Sequence, residues 1–214
     1  MDKQQLLAVL QAAFSEKNQS KLENLGKQAV ENFPDDSFGY AYLAEAMMLL
    51  EEPKYAHAET LLAKAIQLEA ENLNYKLRFG TIKEEQGLLG DASILYRQVL
   101  LKDANNYAAL KGLGTCELYD SQADESAVEL FNKALKIKSS DSDIYAMLAE
   151  AYNNLGQYSE ALAATNKGLA GGFHEGCATA KLITLEFLHS TDGADELYRK
   201  LLEIRPEDFS YLFN

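Results

Sequence analysis

Residues 144–161 read Ile-Tyr-Ala-Met-Leu-Ala-Glu-Ala-Tyr-Asn-Asn-Leu-Gly-Gln-Tyr-Ser-Glu-Ala. Tyr145, Leu148 and Tyr152 follow one another at three and four positions, the spacing of one face of a helix. Gly156-Gln157 breaks that pattern, and Ala161 opens a second apolar period behind it. The stretch therefore encodes a helix, a tight turn and a second helix.

The same arrangement recurs upstream. One unit earlier come Leu110, Leu113-Gly114, a polar turn from Ser121 to Asp124, then Ala127, Phe131 and Ala134. Before that stand Phe79-Gly80, a turn from Gly87 to Gly90, then Ala92, Tyr96 and Val99. Earlier still are Tyr40, Leu43-Ala44, Met47, Ala58, Leu62 and Ala65. Gly114 follows Gly80 by 34 positions, Ala149 follows Gly114 by 35, and Gly80 follows Ala44 by 36, the surplus falling in the turn around Glu51 to Lys54. Fainter units flank these, one carrying Leu22, Ala29 and Pro34, the other Leu182, Leu185, Ala194, Tyr198, Leu201 and Pro206.

A period near 34 with these residues at these places resembles the tetratricopeptide repeat: a large residue, Leu-Gly, Tyr, then Ala, an aromatic, a small residue and a closing Pro. The resemblance implies an all-α fold, a right-handed α-solenoid (superhelix) of about six helix hairpins. One repeat domain is expected over 1–214, with units near 3–36, 37–72, 73–106, 107–141, 142–174 and 175–208. Residues 209–214 either cap the last hairpin or begin a further unit of a longer array.

Each position has a mechanical reason. Ala44, Gly80, Gly114 and Ala149 sit midway along a first helix, where only a short side chain lets the second helix cross closely. Ala58, Ala92, Ala127, Ala161 and Ala194 do the same on the second helix, while Leu62, Tyr96, Phe131 and Tyr198 fill the space between neighbouring units. Thr165 and Gly168 depart from the pattern, and glycines at 168, 171, 172 and 176 predict an early end to the second helix of the fifth unit. Gly26 replaces a large packing residue in the first unit, which suits a terminal position lacking one neighbour.

Composition agrees with helices throughout, for the chain holds only three prolines and is 47% hydrophobic, enough for a packed core. Lys and Arg number 20 against 33 Asp and Glu, a net charge of -13 that repels phosphate backbones and anionic headgroups. No nucleic-acid or membrane partner is expected. The apolar run Leu6 to Leu10 is too interrupted for a signal peptide and reads as the first amphipathic helix. Cys116 and Cys177 lie apart and outside any ligand pattern, as small core residues in a reducing cytoplasm do.

No constellation for chemistry appears. His57, His174 and His189 fall in different units without a ligand partner at helical spacing, and the glycines of 168–176 have no Lys-Ser or Lys-Thr behind them. Asp35-Asp36, Asp141 with Asp143, and Asp192 with Asp195 sit where helix N-caps belong rather than in a calcium loop. The chain is expected to have no catalytic residue, metal or cofactor, and not to be an enzyme.

In the family this chain resembles, the first helices of successive units line a concave groove that holds an extended peptide or a partner helix. Carried over, that face takes Phe38, Ala41 and Glu45, then Asn74, Leu77, Thr81 and Glu84. Lys111, Thr115 and Tyr119 follow, then Asp143, Ala146, Glu150, Asn153 and Asn154. Glu45, Glu84 and Glu150 form either a negative wall for a peptide carrying Lys or Arg, or an ordinary solvated face. Asn153 and Asn154 either bond a peptide backbone or close the helix before Gly156. The family's clamp for a C-terminal carboxylate is unmatched, since Lys111 is paired with Thr115 where Asn is wanted and the next units offer Met147, Gly176 and Ala180. A cytoplasmic scaffold for a peptide or partner protein, with a basic ligand favoured, is the expected function. The alternative is a structural or oligomerisation module, or the front of a longer repeat protein, that self-associates through Phe209, Tyr211 and Phe213.

Overall fold

The computed structural model describes residues 1–119 and 124–205, which form twelve α-helices and no strand. These are α1 (Lys3–Ser15), α2 (Gln19–Asn32), α3 (Ser37–Met48), α4 (Tyr55–Leu68), α5 (Leu73–Glu85) and α6 (Leu89–Lys102). There follow α7 (Tyr107–Leu118), α8 (Asp124–Ile137), α9 (Ser142–Asn154), α10 (Tyr158–Leu169), α11 (Glu175–Phe187) and α12 (Ala194–Ile204). The aromatic tail with Phe209, Tyr211 and Phe213, together with Pro206, lies outside the described residues, as do residues 120–123 of the expected turn.

Helix starts follow local chemistry. Asp2, Asn18, Asn72, Asn106 and Asp141 each accept a backbone N–H of the first turn, and Asp2 completes a capping box with Gln5. Of the three acidic pairs, Asp36 and Asp141 stand at N-caps, although the Asp36 side chain makes no capping bond. The third pair departs from expectation, because Gly193 occupies the N-cap of α12 and Asp195 its first turn.

Four hairpin turns close in one way. After α1, α5, α9 and α11 a residue enters the left-handed region, Lys17 at φ 50, Gly87 at 73, Gly156 at 71 and His189 at 52. The next N–H then bonds five residues back: Asn18 to Ala13 at 3.0 Å, Leu88 to Lys83 at 2.9 Å, Gln157 to Tyr152 at 2.8 Å and Ser190 to Leu185 at 2.9 Å. Glycine enters this region freely, whereas Lys17 and His189 carry a Cβ that crowds the backbone there.

The chain divides into two compact units, Met1–Lys102 with α1 to α6, and the residues from Asp103 with α7 to α12. Each is built as an α-solenoid of three antiparallel hairpins, with every hairpin packed on its chain neighbour. In the first unit one core runs from Leu6, Leu10 and Leu22 through Leu43 and Met47 to Leu62 and Ile82. In the second unit Phe131 and Ile144 are wholly buried, and Ala178, Leu182 and Leu201 close the far end.

Glycines let the paired helices touch. A Cβ on Gly80 would stand 2.7 Å from Cε1 of Tyr96, and one on Gly114 would stand 2.6 Å from Cε1 of Phe131. Tyr96 and Phe131 thus lie over the glycine of their own hairpin. Gly26, read as marking a terminal position that lacks one neighbour, has close packing on its other side: a Cβ there would come within 3.2 Å of the Leu43 backbone, so its absence lets α3 lie against α2. Gly168 sits inside α10 against Tyr145 and Cys177, and that helix has 12 residues where α2, α4, α6 and α8 have 14.

Candidate interaction face

Within each unit the repeat period sets the first helices of successive hairpins side by side. In the first unit Lys3 reaches Asp36 at 2.6 Å, 33 positions on. The Ser37 hydroxyl stands 2.7 Å from the Glu69 carboxylate and 2.9 Å from the Tyr75 hydroxyl, and tyrosine burial with these bonds knits α3, α4 and α5. Arg78 forms an ion pair with Glu45 and lies over the rings of Phe14 and Tyr42, 4.8 and 5.8 Å from their centroids. A cavity of about 480 Å³ opens there, and of the expected face residues it brings together Phe38, Ala41 and Asn74. Lys3, Leu7, Tyr42 and Arg78 share its lining and were missed in the sequence. Asn74 is exposed, whereas Phe38 is buried against Phe33.

Two of the three expected negative residues are already engaged. Glu45 is held by Arg78, and Glu84 accepts a hydrogen bond from the Tyr96 hydroxyl at 2.6 Å. The Thr81 hydroxyl donates to the Leu77 carbonyl at 3.2 Å. Glu85, one position on, is exposed, lies close to both acids and forms no ion pair among the described residues. Burial, followed by the charges of Glu84 and Glu45, pushes its carboxyl above the ordinary value.

In the second unit Lys111 is spoken for. Its ammonium stands 3.3 Å from Asp141 on one side and 3.3 Å from Asp143 on the other. Asp141, only 8% exposed, also accepts the Tyr107 hydroxyl and the Ile144 N–H. Burial pushes the Asp141 carboxyl up, but the bonds from Tyr107, Ile144 and Lys111 outweigh it and hold the group below its ordinary value. Burial and the same contact drive the Tyr107 hydroxyl upward. His174 takes the Cys177 N–H on Nδ1 at 3.2 Å, so Nε2 carries the proton and donates to Asp143 at 3.0 Å.

Thr115 donates to the Lys111 carbonyl at 3.1 Å and contacts Met147 Sδ at 3.4 Å. Asn153 is buried, its Oδ1 3.0 Å from the Thr184 hydroxyl on α11, and Asn154 donates to Asp124 at 2.9 Å. Both amides serve the protein's own packing, a role neither alternative in the sequence foresaw. Tyr119 is 58% exposed. Glu150 is exposed and forms no ion pair among the described residues, while surrounding protein and then the charge of Asp124 raise its carboxyl. Ala146 lies beside Gly176, where a Cβ would stand 3.2 Å away.

Among the described residues no group of three or more His, Cys, Asp or Glu is placed to hold a metal ion, and no helix is long and apolar enough to cross a membrane. Cys116 and Cys177 are buried and form no disulfide, and burial pushes the Cys177 thiol up to about 11, which makes it a poor nucleophile.

Residues 130–163 match the family model of the tetratricopeptide repeat. No curated protein matches the chain. Among solved structures, that of pilF from Pseudomonas aeruginosa is 17% identical, covering 98% of this chain and 94% of its own at a TM-score of 0.84. PilW, a widely conserved type IV pilus biogenesis factor, is 12% identical over 97% of this chain and 96% of its own, again at 0.84. YrrB, a tetratricopeptide protein with an unusual peptide-binding site, is 18% identical over 87% of this chain and 95% of its own at 0.66. At such identities the likeness is one of fold, and the fold is that of tetratricopeptide-repeat proteins.

Proposed function

We propose that this chain, a tetratricopeptide-repeat fold, is a protein-interaction scaffold with no catalysis of its own, which holds a peptide or partner protein on the faces of its first helices. The observation that carries the reading is the state of the polar groups on those faces. Glu45, Glu84, Lys111, Asn153 and Asn154 are bonded within the protein and shape the surface. Asn74 projects from the first unit's face, where Phe38 is buried, and Tyr119 and Glu150 project from the second unit's, where Thr115 is half-buried.

The same pattern supports a basic ligand. With Lys111 neutralised by two aspartates, the second unit's face keeps Glu150, and the first unit's Glu85, without an ion-paired cation among the described residues. A lysine or arginine from a partner would relieve both, as a charge-assisted hydrogen bond does. YrrB, with the same fold, is known for an unusual peptide-binding site, and PilW for pilus biogenesis, so the fold hosts such work elsewhere. Two buried cysteines that form no disulfide support a cytoplasmic setting.

Anisotropy titration with a labelled Lys-rich peptide tests this. Glu150→Gln and Glu85→Gln are each expected to weaken binding roughly three- to tenfold, the range open to partly exposed charge pairs. Equal affinity for both variants and the parent chain would remove the basis for a basic ligand. Failure of Lys-rich, Glu-rich and neutral peptides alike would remove the peptide-scaffold reading.

A further inference from the structure

We propose that α9 serves two faces, and that the face turned away from Glu150 is a docking groove for an acidic protein segment carrying aliphatic side chains. Between α8 and α10 a cavity of about 400 Å³ opens over α9. Tyr145, Leu148 and Tyr152 form its floor, and Leu135, Ala163 and Ala164 line its sides. Positions 145, 148 and 152 share one side of the helix, whereas 143, 146, 150 and 154 lie on the opposite side. The groove is therefore separate from the first-helix face, and its case does not depend on that face binding anything.

The rim decides the occupant. Lys136 reaches in from α8 and Lys167 from α10, both exposed and neither in an ion pair among the described residues. Lys133 and Lys138, on the same stretch of chain, are by contrast paired with Glu129 and Asp141. Glu160 is the one carboxylate among the lining residues. In a chain of net charge -13 two unpaired lysines against one glutamate reverse the local sign. Complementarity then selects an acidic partner, and a floor of two tyrosines and a leucine selects apolar side chains between its charges.

Hydrogen-bonding capacity points the same way. The Tyr145 hydroxyl is used on the Ser139 carbonyl at 3.1 Å, and Asn132 donates to the Val128 carbonyl at 2.9 Å. The Tyr152 hydroxyl has no hydrogen bond among the described residues and can donate to a carboxylate. Two ammoniums and one phenol thus offer donors around the floor, and Glu160 is the one charged acceptor among the lining residues.

The test is an anisotropy titration of the full chain with a labelled Glu-rich peptide bearing spaced leucines, beside the same peptide with Lys in place of Glu. Saturable binding of the acidic peptide is expected. It should weaken by about tenfold or more in Lys136→Glu/Lys167→Glu, whose exposed positions leave helix content unchanged by circular dichroism. Ala163→Trp, which fills the groove without altering charge, should weaken it too, and Glu150→Gln should leave it unchanged. Lack of saturation overturns the proposal, as does equal affinity for the double variant or a loss in Glu150→Gln instead. Competition by a single-stranded oligonucleotide would overturn the assignment to a protein segment. A basic peptide that fails on the first-helix face leaves all these outcomes intact.

Discussion

Gly114→Ala adds one methyl group to the closest helix crossing of the second unit, and its effect can be worked out atom by atom. The new Cβ would stand 2.6, 2.8 and 3.2 Å from Cε1, Cδ1 and Cζ of Phe131, well inside the ~3.5–4 Å of ordinary carbon contact. Phe131 is 0% exposed, so its ring cannot swing into water, and α7 and α8 must separate. Overpacking of this kind costs about 1–3 kcal/mol. Ala returns about 1 kcal/mol of helix propensity over Gly. The difference, about 0–2 kcal/mol, centres on a net loss of about 1 kcal/mol. Gly90→Ala is the control: it lies in α6 with nothing within 4 Å of its added Cβ, so it should gain about 0.5–1 kcal/mol. Urea unfolding followed by far-UV circular dichroism measures both, with midpoints compared because repeat arrays unfold with limited cooperativity. Phe131→Leu should absorb part of the clash, with a coupling of about 1 kcal/mol in the double variant. Gly114→Ala as stable as the parent, or a double variant showing simple additivity, would refute the reasoning.

Asp141→Asn should lower stability by about 1 kcal/mol at neutral pH, since Asn keeps the capping oxygen for the Ile144 N–H but removes the charge that Lys111 and Tyr107 address. Because the folded Asp141 carboxyl lies below its unfolded value, its contribution is complete above the ordinary carboxylate range of about 4 and disappears as pH falls through the folded value. Urea midpoints measured from pH 7 downward should therefore fall less steeply in the variant. Lys17→Gly and His189→Gly, which relieve the left-handed turns, should each raise the unfolding midpoint by the equivalent of about 1 kcal/mol, whereas Gly156→Ala should lower it by a similar amount. The peptide titrations on Glu150 and Glu85, and on Lys136 and Lys167, complete the set.

The face residues were harder to read than the helices. Glu45, Glu84, Glu150 and Lys111 look alike in a list of charged first-helix positions. The structure separates them by what stands about one repeat away: Arg78 beside Glu45, Asp141 and Asp143 beside Lys111, Thr184 beside Asn153. Pairing each polar residue with the one 31 to 33 positions later would have found several of these links, for Lys3 to Asp36 spans 33, Lys111 to Asp143 spans 32 and Asn153 to Thr184 spans 31. It would not have found Tyr96 on Glu84, a bond within one hairpin whose length is set by how the two helices cross.

Sequence alone determined the repeat, the helices and the need for small residues at the crossings, because these follow from local periodicity and from the volume of single side chains. Tertiary structure decided which charges remain available and where grooves open. A carboxylate's freedom depends on the cations that packing brings within ion-pair distance, and a groove on the shape left between side chains of three helices. Glu150, Glu85, Lys136 and Lys167 acquire their meaning only there.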